Sequence, residues 1–375
     1  MRTRTRPSSS VPGRPVSPSH INLKQHGIDP LVFTADKRVG DPWRQRWDSL
    51  RLFTPTFYDG LPGMPFPAAD AEHLPTKDEV ADYLESYAGR LGLQVRLGAE
   101  VHAVRRTDAG LLLETSRGPV TAQQVVVAAG AFRVPQLPPF AAELGRDIRQ
   151  LHSSHYRNLD SLQPGDALVV GAGNSGTQIA TDIHEADPTR RVWLAGRDTG
   201  RIPRRLLGRD IFRWLVPTVL RLPVDSGPGR LILARTAGRG DPVFADVHAR
   251  MVAAGVERTG RMVGVRDGRP VVQGESGEVT PEVGNVVWCT GYRPDFSWID
   301  GLPVDEHGRP RQQRGEVLAM PGLYVIGLHL LYRLSSSLIG GVGADAAYVA
   351  QRIQRRLERG TADAESSSAH ARHAL

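Results

Sequence analysis

The sequence is poor in cysteine, and Cys289 is the only one among its 375 residues. A single cysteine excludes an intramolecular disulfide, a C-x-x-C redox pair and a cysteine-based metal cluster, and no metal site is expected. The basic N-terminus is not followed by an apolar core, so the sequence does not predict a secretory signal. We therefore expect a cytoplasmic protein.

Long apolar runs are also missing. A membrane-spanning helix needs roughly 18 to 20 apolar residues. The nearest candidate, 211–224, is interrupted by Arg213, Pro217 and Arg221. The sequence therefore predicts no integral membrane segment. We expect 211–224 to pack against the rest of the protein, with a substrate-mouth or membrane-touching helix as the alternative.

Aromatic residues are few, at 6%, although the formal net charge is +7. The basic residues are mainly arginines scattered along the chain, which does not favour a nucleic-acid partner. We expect them to supply surface charge and sites for anionic cofactors. No pattern indicates the oligomeric state, and a homodimer remains open.

The most informative pattern is a glycine motif between a strand and a helix. Residues 166–170 are typical of a buried strand, and an amphipathic helix follows the motif. The motif consists of Gly171, Ala172, Gly173, Asn174, Ser175 and Gly176. In such a motif Gly171 makes the tight turn, Gly173 lets a pyrophosphate approach, and Gly176 lets helix pack on strand. The pattern predicts a dinucleotide site.

The residues after this motif indicate which dinucleotide binds. An NAD site carries an acidic residue about 20 positions after the glycines, but the sequence there reads Ala195-Gly196-Arg197. Arg197 and the nearby Arg201 would bind a 2′-phosphate through charge-assisted hydrogen bonds. We therefore predict NADPH. The alternative is that these are ordinary surface arginines in an arginine-rich chain.

The order of elements predicts the fold class. Strand-like and helix-like segments alternate, which favours an α/β fold with parallel sheets. A capping box, Thr76-x-x-Glu79, predicts the start of one of the helices. We expect two Rossmann-like dinucleotide-binding domains of three layers each, one inserted in the other.

Several segments in register resemble the flavin-containing monooxygenases, in particular the compact bacterial and plant auxin-synthesis type. The segments are Gly40-Asp-Pro-Trp43, residues 50–55, residues 61–67, residues 125–130, residues 171–176, residues 287–295 and residues 322–327. The resemblance covers about residues 23 to 358. It implies FAD bound by an outer domain (23–160 and 286–360) and NADPH bound by the inserted one (161–285). Residues 361–375 are expected to form a disordered tail.

The resemblance also implies an activity. NADPH would reduce the flavin, and the flavin would activate O₂ to oxygenate a small organic substrate. Because the cofactor carries this chemistry, the lack of a nucleophile, base and acid set in the sequence is expected. Two alternatives remain open. One is an NADPH-dependent flavoprotein reductase that passes electrons to a protein partner, and the other is a degenerate NADPH-binding protein without flavin.

Carried over position by position, the resemblance implies a set of FAD-binding residues. They are Val39, Gly40, Trp43, Leu52, Val101, Ala129, Gly130, Thr290, Gly291, Gly327 and Asp345. The pairs Ala129-Gly130 and Thr290-Gly291 would be the crossing points between the domains, with simple strand-end turns as the alternative. His329 and Tyr332 fall near the flavin by register and are the candidate catalytic residues. His152 and Tyr156 are expected to act as a structural linker.

The first glycine motif that such an enzyme needs is missing from residues 1–22. Back-translation of residues 8–21 with GC-rich codons allows another frame to read VVGAGQAGLAVAH, which contains strand residues, G-x-G-x-x-G and a helix start. We therefore interpret residues 1–22 as frameshifted or disordered. Without the glycines, FAD loses the backbone cradle for its pyrophosphate, and the chain as written is expected to bind FAD poorly.

Overall fold

The computed structural model describes Leu23 and residues 28–130, 132–236 and 240–373. The segment interpreted as frameshifted, 1–22, lies outside these residues. No helix in the described ranges is both long enough and apolar enough to span a membrane.

The elements are short strands and a small number of helices. In chain order the strands are β1 (Leu31–Phe33), β2 (Gln94–Arg96), β3 (Val101–Thr107), β4 (Gly110–Thr115), β5 (Gly118–Ala122), β6 (Val125–Val127), β7 (Val134–Pro135), β8 (Arg149–His152), β9 (Ala167–Val170), β10 (Val192–Ala195), β11 (Arg201–Ile202), β12 (Arg205–Leu206), β13 (Arg209–Asp210), β14 (Val243–Phe244), β15 (Glu257–Thr259), β16 (Met262–Arg266), β17 (Arg269–Gly274), β18 (Gly277–Val279), β19 (Asn285–Trp288), β20 (Tyr292–Arg293) and β21 (Leu323–Val325). The α-helices are α1 (Asp41–Arg44), α2 (Lys77–Arg90), α3 (Asn174–Ala186), α4 (Phe212–Leu215), α5 (Gly227–Thr236), α6 (Ala245–Ala254) and α7 (Val342–His373).

A five-stranded parallel sheet, ordered β15-β10-β9-β19-β8, forms the centre of one half of the molecule. Every residue of β9 and β19 is buried, as expected for parallel strands that are covered on both faces. Helix α3 packs on the sheet through Ile179 and Ile183, which are fully buried. Strands β15, β10, β9 and β19 follow the 3-2-1-4 order of a Rossmann unit.

This sheet extends beyond the predicted inserted domain of 161–285. Its edge strand β8 comes from residues 149–152, and β19 continues to Trp288. The reason is hydrogen bonding, because β19 pairs with both β8 and β9 along its whole length. The two strands at the domain crossings therefore belong to the inserted sheet and not to the outer domain.

The other half contains smaller sheets. Parallel pairs form between β1 and β2 and between β6 and β21, and an antiparallel sheet has the order β3-β4-β5. Helix α7 covers β21 through Val349, Ala350 and Ile353, which pack with Tyr324 and Ile326. Among the described residues no strand joins the two parallel pairs.

Helix α7 runs to His373 and so differs from the disordered tail predicted for 361–375. The predicted tail continues a helix whose earlier turns are anchored in the core by Val349 and Ile353. Its alanines and arginine also have high helix propensity. The composition of 361–375 did not reveal that this segment continues a helix whose earlier turns are packed in the core.

Helix α2 begins at the predicted capping box. The Glu79 N–H donates to Thr76 Oγ1 (3.2 Å) and the Thr76 N–H donates to Glu79 Oε2 (2.7 Å), so both halves of the box are present. Gly40, at the start of α1, packs directly against this helix. With φ of +92°, a Cβ at Gly40 would lie 2.7 Å from the Ala81 carbonyl oxygen. Close packing of α1 on α2 therefore requires glycine at position 40.

Replacing Gly40 with alanine should destabilise the protein. We expect Gly40→Ala to lower the free energy of unfolding by roughly 1–3 kcal/mol, because it combines a positive φ with overpacking. Gly89→Ala is the matched control. Gly89 is an exposed glycine in α2, and a Cβ there would meet nothing within 4 Å, so alanine should stabilise by up to about 1 kcal/mol. Thermal and urea unfolding measure both variants, and equal stabilities would contradict the packing argument.

Candidate dinucleotide site

The glycine loop after β9 is built from close backbone contacts. Gly171 has φ of +111°, and a Cβ there would overlap the carbonyl oxygen of Cys289 at the end of β19. A Cβ on Gly176 would overlap the carbonyl oxygen of Gly171. These two glycines therefore allow the loop, helix α3 and strand β19 to meet. Burial also raises the pKa of the Cys289 thiol, which suits a packing role for this cysteine.

Gly173 differs from the other two glycines because its surroundings are open. A Cβ there would meet nothing within 4 Å, and no side chain caps the helix that starts after it. Asn174, the first residue of α3, donates from Nδ2 to the Pro242 carbonyl (3.3 Å), whereas its buried Oδ1 has no partner. Ser175 is exposed. An uncapped N-terminus beside open space suits an anion such as a pyrophosphate.

A cleft with about 290 Å³ of empty space, part of it open to solvent, lies at the carboxyl end of β10. Its lining residues are Ala172, Thr177, Leu194, Asp198, Thr199, Gly200, Arg201, Val243, His248, Met251 and Arg258. The loop residue Ala172 connects this cleft to the glycine motif. The hydroxyl oxygen of Thr199 is buried there and has no hydrogen-bond partner in the part of the chain that the structure describes.

Four titratable side chains line this cleft. Arg201 Nη2 donates to His248 Nε2 (3.0 Å) and lies 3.6 Å from Asp198 Oδ2, while Gly200 N–H donates to Asp198 Oδ1 (2.9 Å). The Gly200 bond and the charges of Arg201 and Arg258 lower the pKa of Asp198. Burial, with the same two arginines, lowers the pKa of His248. With Asp198 ionised and His248 neutral, the cleft carries one excess positive charge.

Arg258 reaches this cleft from β15. It donates from Nη1 to the Leu194 carbonyl (3.0 Å) and from Nη2 to the Gly196 carbonyl (3.2 Å) at the end of β10. These bonds hold the guanidinium at the mouth of the cleft although burial lowers its pKa. Arg258 is far from the motif in sequence, and the parallel pairing of β15 with β10 is what brings it there.

The structure separates the two arginines that the sequence singled out. Arg201 lines the cleft, whereas Arg197 is exposed and is not among the lining residues. Sequence reasoning missed Asp198, which stands one residue beyond the position where a carboxylate was sought. It also missed His248 and Arg258. Both side chains are exposed, but Asp198 also lines the cleft, whereas Arg197 does not.

The two glycines at the predicted crossing points, Gly130 and Gly291, and the predicted flavin-binding Gly327 are all in left-handed conformations with open surroundings among the described residues. Gly130, Gly291 and Gly327 have φ of +69°, +83° and +71°, and a Cβ on any of them would meet nothing within 4 Å. Gly130 and Gly327 follow the paired strands β6 and β21, so they lie at the same sheet edge. Ala129 is partly buried beside them, and the Thr290 hydroxyl donates to the Gln136 carbonyl.

The other residues assigned to the flavin are packed within the protein. Val39 and Leu52 belong to a buried core cluster, and Trp43 packs against it. Val101, at the start of β3, packs against a second cluster. Val39, Leu52 and Trp43 thus pack in a cluster that also contains residues of the inserted sheet and of α3.

Asp345 lies in the first turn of α7 and is 3% exposed. Its Oδ2 has no hydrogen-bond partner among the described residues. Burial raises the pKa of this carboxyl, although a bond to Ser336 and the charges of Arg333 and Arg314 act in the opposite direction. A buried carboxylate oxygen without a hydrogen-bond partner, such as Asp345 Oδ2, is consistent with a site that binds a polar ligand.

The two candidate catalytic residues lie near Asp345 in the chain but differ in environment. The Tyr332 ring packs on the guanidinium of Arg314 (4.1 Å), which also contacts Tyr348 (3.9 Å). His329 is exposed, with Nδ1 3.5 Å from the Ser337 hydroxyl. Tyr332 thus takes part in a packed cation–π stack, and His329 does not.

His152 and Tyr156 connect the two halves. The His152 ring donates from Nε2 to the Gly291 carbonyl (3.0 Å), and Ser154 N–H donates to its Nδ1 (3.2 Å). Burial lowers the pKa of His152 to about 4, so the ring is neutral and fixes one crossing point. The buried Tyr156 hydroxyl donates to Asp182 on α3 (2.6 Å), and this burial raises the pKa of the phenol.

The fold and the glycine site define a dinucleotide-binding oxidoreductase, and comparisons agree. The family model for pyridine nucleotide-disulphide oxidoreductases matches residues 19–220. The chain is 39% identical over 331 residues to the "uncharacterized oxidoreductase CzcO-like" of Geobacillus kaustophilus, covering 87% of this chain and 92% of that protein. It is 26% identical over 397 residues to the probable indole-3-pyruvate monooxygenase YUCCA3 of Arabidopsis thaliana, covering 94% and 86%. A flavin-containing monooxygenase from Stenotrophomonas maltophilia superposes with a TM-score of 0.70 at 22% identity, covering 91% of this chain and 95% of that one.

The chain therefore belongs to the pyridine nucleotide-disulphide oxidoreductase family. It is an enzyme of the oxidoreductase class, and the predicted resemblance to compact flavin-containing monooxygenases is confirmed. The predicted α/β fold class is confirmed as well.

Alanine at Gly173, where a Cβ would have free space, should have a different effect from alanine at Gly176, where a Cβ would overlap a carbonyl oxygen. Gly173→Ala should leave the free energy of unfolding unchanged within about 0.5 kcal/mol and weaken NADPH binding at least about tenfold, because the methyl occupies the space that a pyrophosphate needs. Gly176→Ala should instead destabilise the fold by about 2 kcal/mol or more through overpacking. Thermal unfolding and NADPH titration distinguish the two effects. Unaltered NADPH affinity in a folded Gly173→Ala protein would argue against the site.

Proposed function

We propose that this protein is an FAD- and NADPH-dependent oxidoreductase of the monooxygenase type, which uses O₂ to oxygenate a small organic substrate in the cytoplasm. The observation that carries the proposal is the joint presence of an open glycine loop at Gly173 and a cationic cleft beside it. The loop suits a pyrophosphate, and the cleft suits the ribose end of the same dinucleotide. A family of oxidoreductases built on this fold supports the redox assignment.

NADPH fits the cleft better than NADH because of its charge. A lone carboxylate at Asp198 would repel a 2′-phosphate, but Gly200 N–H and Arg201 occupy its two oxygens. Arg258 then supplies uncompensated positive charge at the cleft. A 2′-phosphate can accept charge-assisted hydrogen bonds from guanidinium groups. The Thr199 hydroxyl and Asn174 Oδ1, both without a partner, are further polar groups available to a ligand.

Removal of the Arg201 side chain should weaken the binding of NADPH more than the binding of NADH. We expect Arg201→Ala to weaken NADPH binding about tenfold or more, as loss of a charge-assisted hydrogen bond implies, and to change NADH binding less than about threefold. Arg197→Ala is the matched control, since Arg197 is an exposed arginine outside the cleft. Fluorescence titration with both cofactors provides the measurement. An equal loss in the Arg197→Ala protein would overturn the assignment.

The outer half offers a fit for flavin at several points. Open positions at Gly130, Gly291 and Gly327 would allow a cofactor to approach the backbone, and Asp345 Oδ2 is a buried acceptor without a partner. Bound flavin would supply the electron transfer between NADPH and O₂. The protein's own contribution would be to hold the two domains in register, through His152 at Gly291, and to exclude water from the buried site.

The strand pairs of the outer half also bear on flavin binding. A doubly wound sheet has its first strand, followed by the glycine loop, between strands 2 and 4. Here β1 and β2 take the places of strands 2 and 3, and β6 and β21 form a separate parallel pair. A strand between these pairs would complete the sheet. In the sequence interpretation it corresponds to residues 8–21, which lie outside the described residues.

Flavin content and oxygen use test the proposed function together. We expect the chain as written to show little absorbance near about 450 nm, where oxidised flavin absorbs. A version with residues 8–21 replaced by VVGAGQAGLAVAH should bind FAD and oxidise NADPH only when O₂ is present. Absence of flavin in both versions would contradict a flavin-dependent function and favour a degenerate NADPH-binding protein. NADPH oxidation that ignores O₂ but needs an added electron acceptor would favour a reductase.

A further inference from the structure

A short hairpin in the inserted domain exposes large apolar side chains. We call residues 205–214 the arginine–leucine hairpin. It comprises β12, β13 and the start of α4, and the two strands pair antiparallel, with Leu207 and Gly208 at the tip. Leu207 is 82% exposed, and Leu206 and Trp214 are 44% and 40% exposed. Leu207 is thus far more exposed than an apolar residue of a folded core.

Turn geometry does not account for leucine at this tip. Leu207 and Gly208 have φ of +51° and +74°, the left-handed pair that hairpin turns usually fill with Asn-Gly or Gly-Gly. A leucine there is strained, because its Cβ disfavours positive φ. Neither the turn nor packing against the described residues therefore explains a leucine at this position.

The tip projects from a rigid base. Asp210 is 2% exposed, accepts from the Phe212 N–H (2.8 Å) and lies 3.5 Å from Arg204. Phe212 is buried against Phe244 with ring centroids 5.8 Å apart. Trp214 Nε1 donates to the Leu206 carbonyl (3.3 Å), which holds the indole along the hairpin. The exposed leucines are therefore presented in a fixed position and do not depend on a flexible loop.

Arginines flank these apolar side chains. Arg205, Arg209 and Arg213 are all exposed. In the described residues they face one carboxylate, Glu72, which lies 3.1 Å from Arg205 and 3.6 Å from Arg213. The surface therefore carries an excess of two positive charges around a Leu-Leu-Trp centre.

We propose that the arginine–leucine hairpin is a docking site for an anionic lipid surface. Leucines that enter the acyl boundary, tryptophan at the interface and arginines at anionic headgroups are the pattern of interfacial membrane binding. A second copy of this chain fits less well, because a symmetric contact would bring two positively charged hairpins together. A projecting turn also suits insertion into a soft interface better than a flat protein contact.

Vesicle binding by the complete chain tests this proposal. We expect the protein to co-sediment with vesicles of phosphatidylcholine and phosphatidylserine, and to bind weakly to phosphatidylcholine alone. Raising NaCl to about 0.5 M should weaken binding, because salt screens the arginines. The double variant Leu206→Ser/Leu207→Ser should partition at least about tenfold more weakly, since each leucine contributes an apolar side chain to the interface. Arg209→Glu should also reduce binding several-fold.

The matched control is Val252→Ser/Leu318→Ser. These residues are 57% and 60% exposed and lie outside the hairpin, so the control variant should bind vesicles within about twofold of the parent protein. Thermal unfolding and NADPH affinity should be the same in all variants, which separates loss of docking from loss of fold. Failure of the parent chain to bind phosphatidylserine vesicles overturns the proposal. So does unchanged binding by the double leucine variant, or a dimer in solution that this variant dissociates.

Discussion

The meeting of three backbone segments at Gly171 is the constraint on which the rest of the structure depends. The loop after β9, the start of α3 and the end of β19 approach so closely that a Cβ at Gly171 or Gly176 would overlap a carbonyl oxygen. This contact sets the direction of α3, and α3 in turn covers the parallel sheet. It also links the nucleotide site to the domain crossing, because Cys289 is followed directly by Thr290 and Gly291. A single packing contact therefore fixes both the site and its position relative to the outer half.

Charge in the adjacent cleft follows from pairing between distant segments. Asp198 and Arg201 are close in sequence and offset one another, so this pair alone adds no net charge to the cleft. The sign of the cleft is decided by Arg258, which β15 contributes through its pairing with β10. The Arg258 guanidinium donates hydrogen bonds to the Leu194 and Gly196 carbonyls. These bonds fix its position in the absence of a ligand. Selectivity for a phosphorylated ribose would then be a property of the sheet order and not of the motif.

This explains which parts of the site the sequence could predict. The strand, glycine loop and helix at 166–186 are local, so spacing and periodicity were sufficient, and the same holds for the capping box at Thr76. Counting residues from the glycines led to Arg197, whereas the next residue, Asp198, lines the cleft although both side chains are exposed. His248 and Arg258 could not be found, since their position depends on which strands become neighbours. The sequence placed the crossing strands β8 and β19 in the outer half, whereas β19 pairs with both β8 and β9 in one sheet, which likewise depends on which strands become neighbours.

The described residues supply different shares of the sheets in the two halves of the molecule. The inserted half closes a five-stranded sheet entirely from described residues, with its glycine loop in place. The outer half has two separate parallel pairs, β1–β2 and β6–β21, at the point where a doubly wound sheet has its first strand. In that fold the first strand and its glycine loop are continuous, so one segment supplies both the central hydrogen bonds of the sheet and the pyrophosphate cradle. A version of the chain with those glycines at residues 8–21 and one without them would share every residue of the cleft at the end of β10.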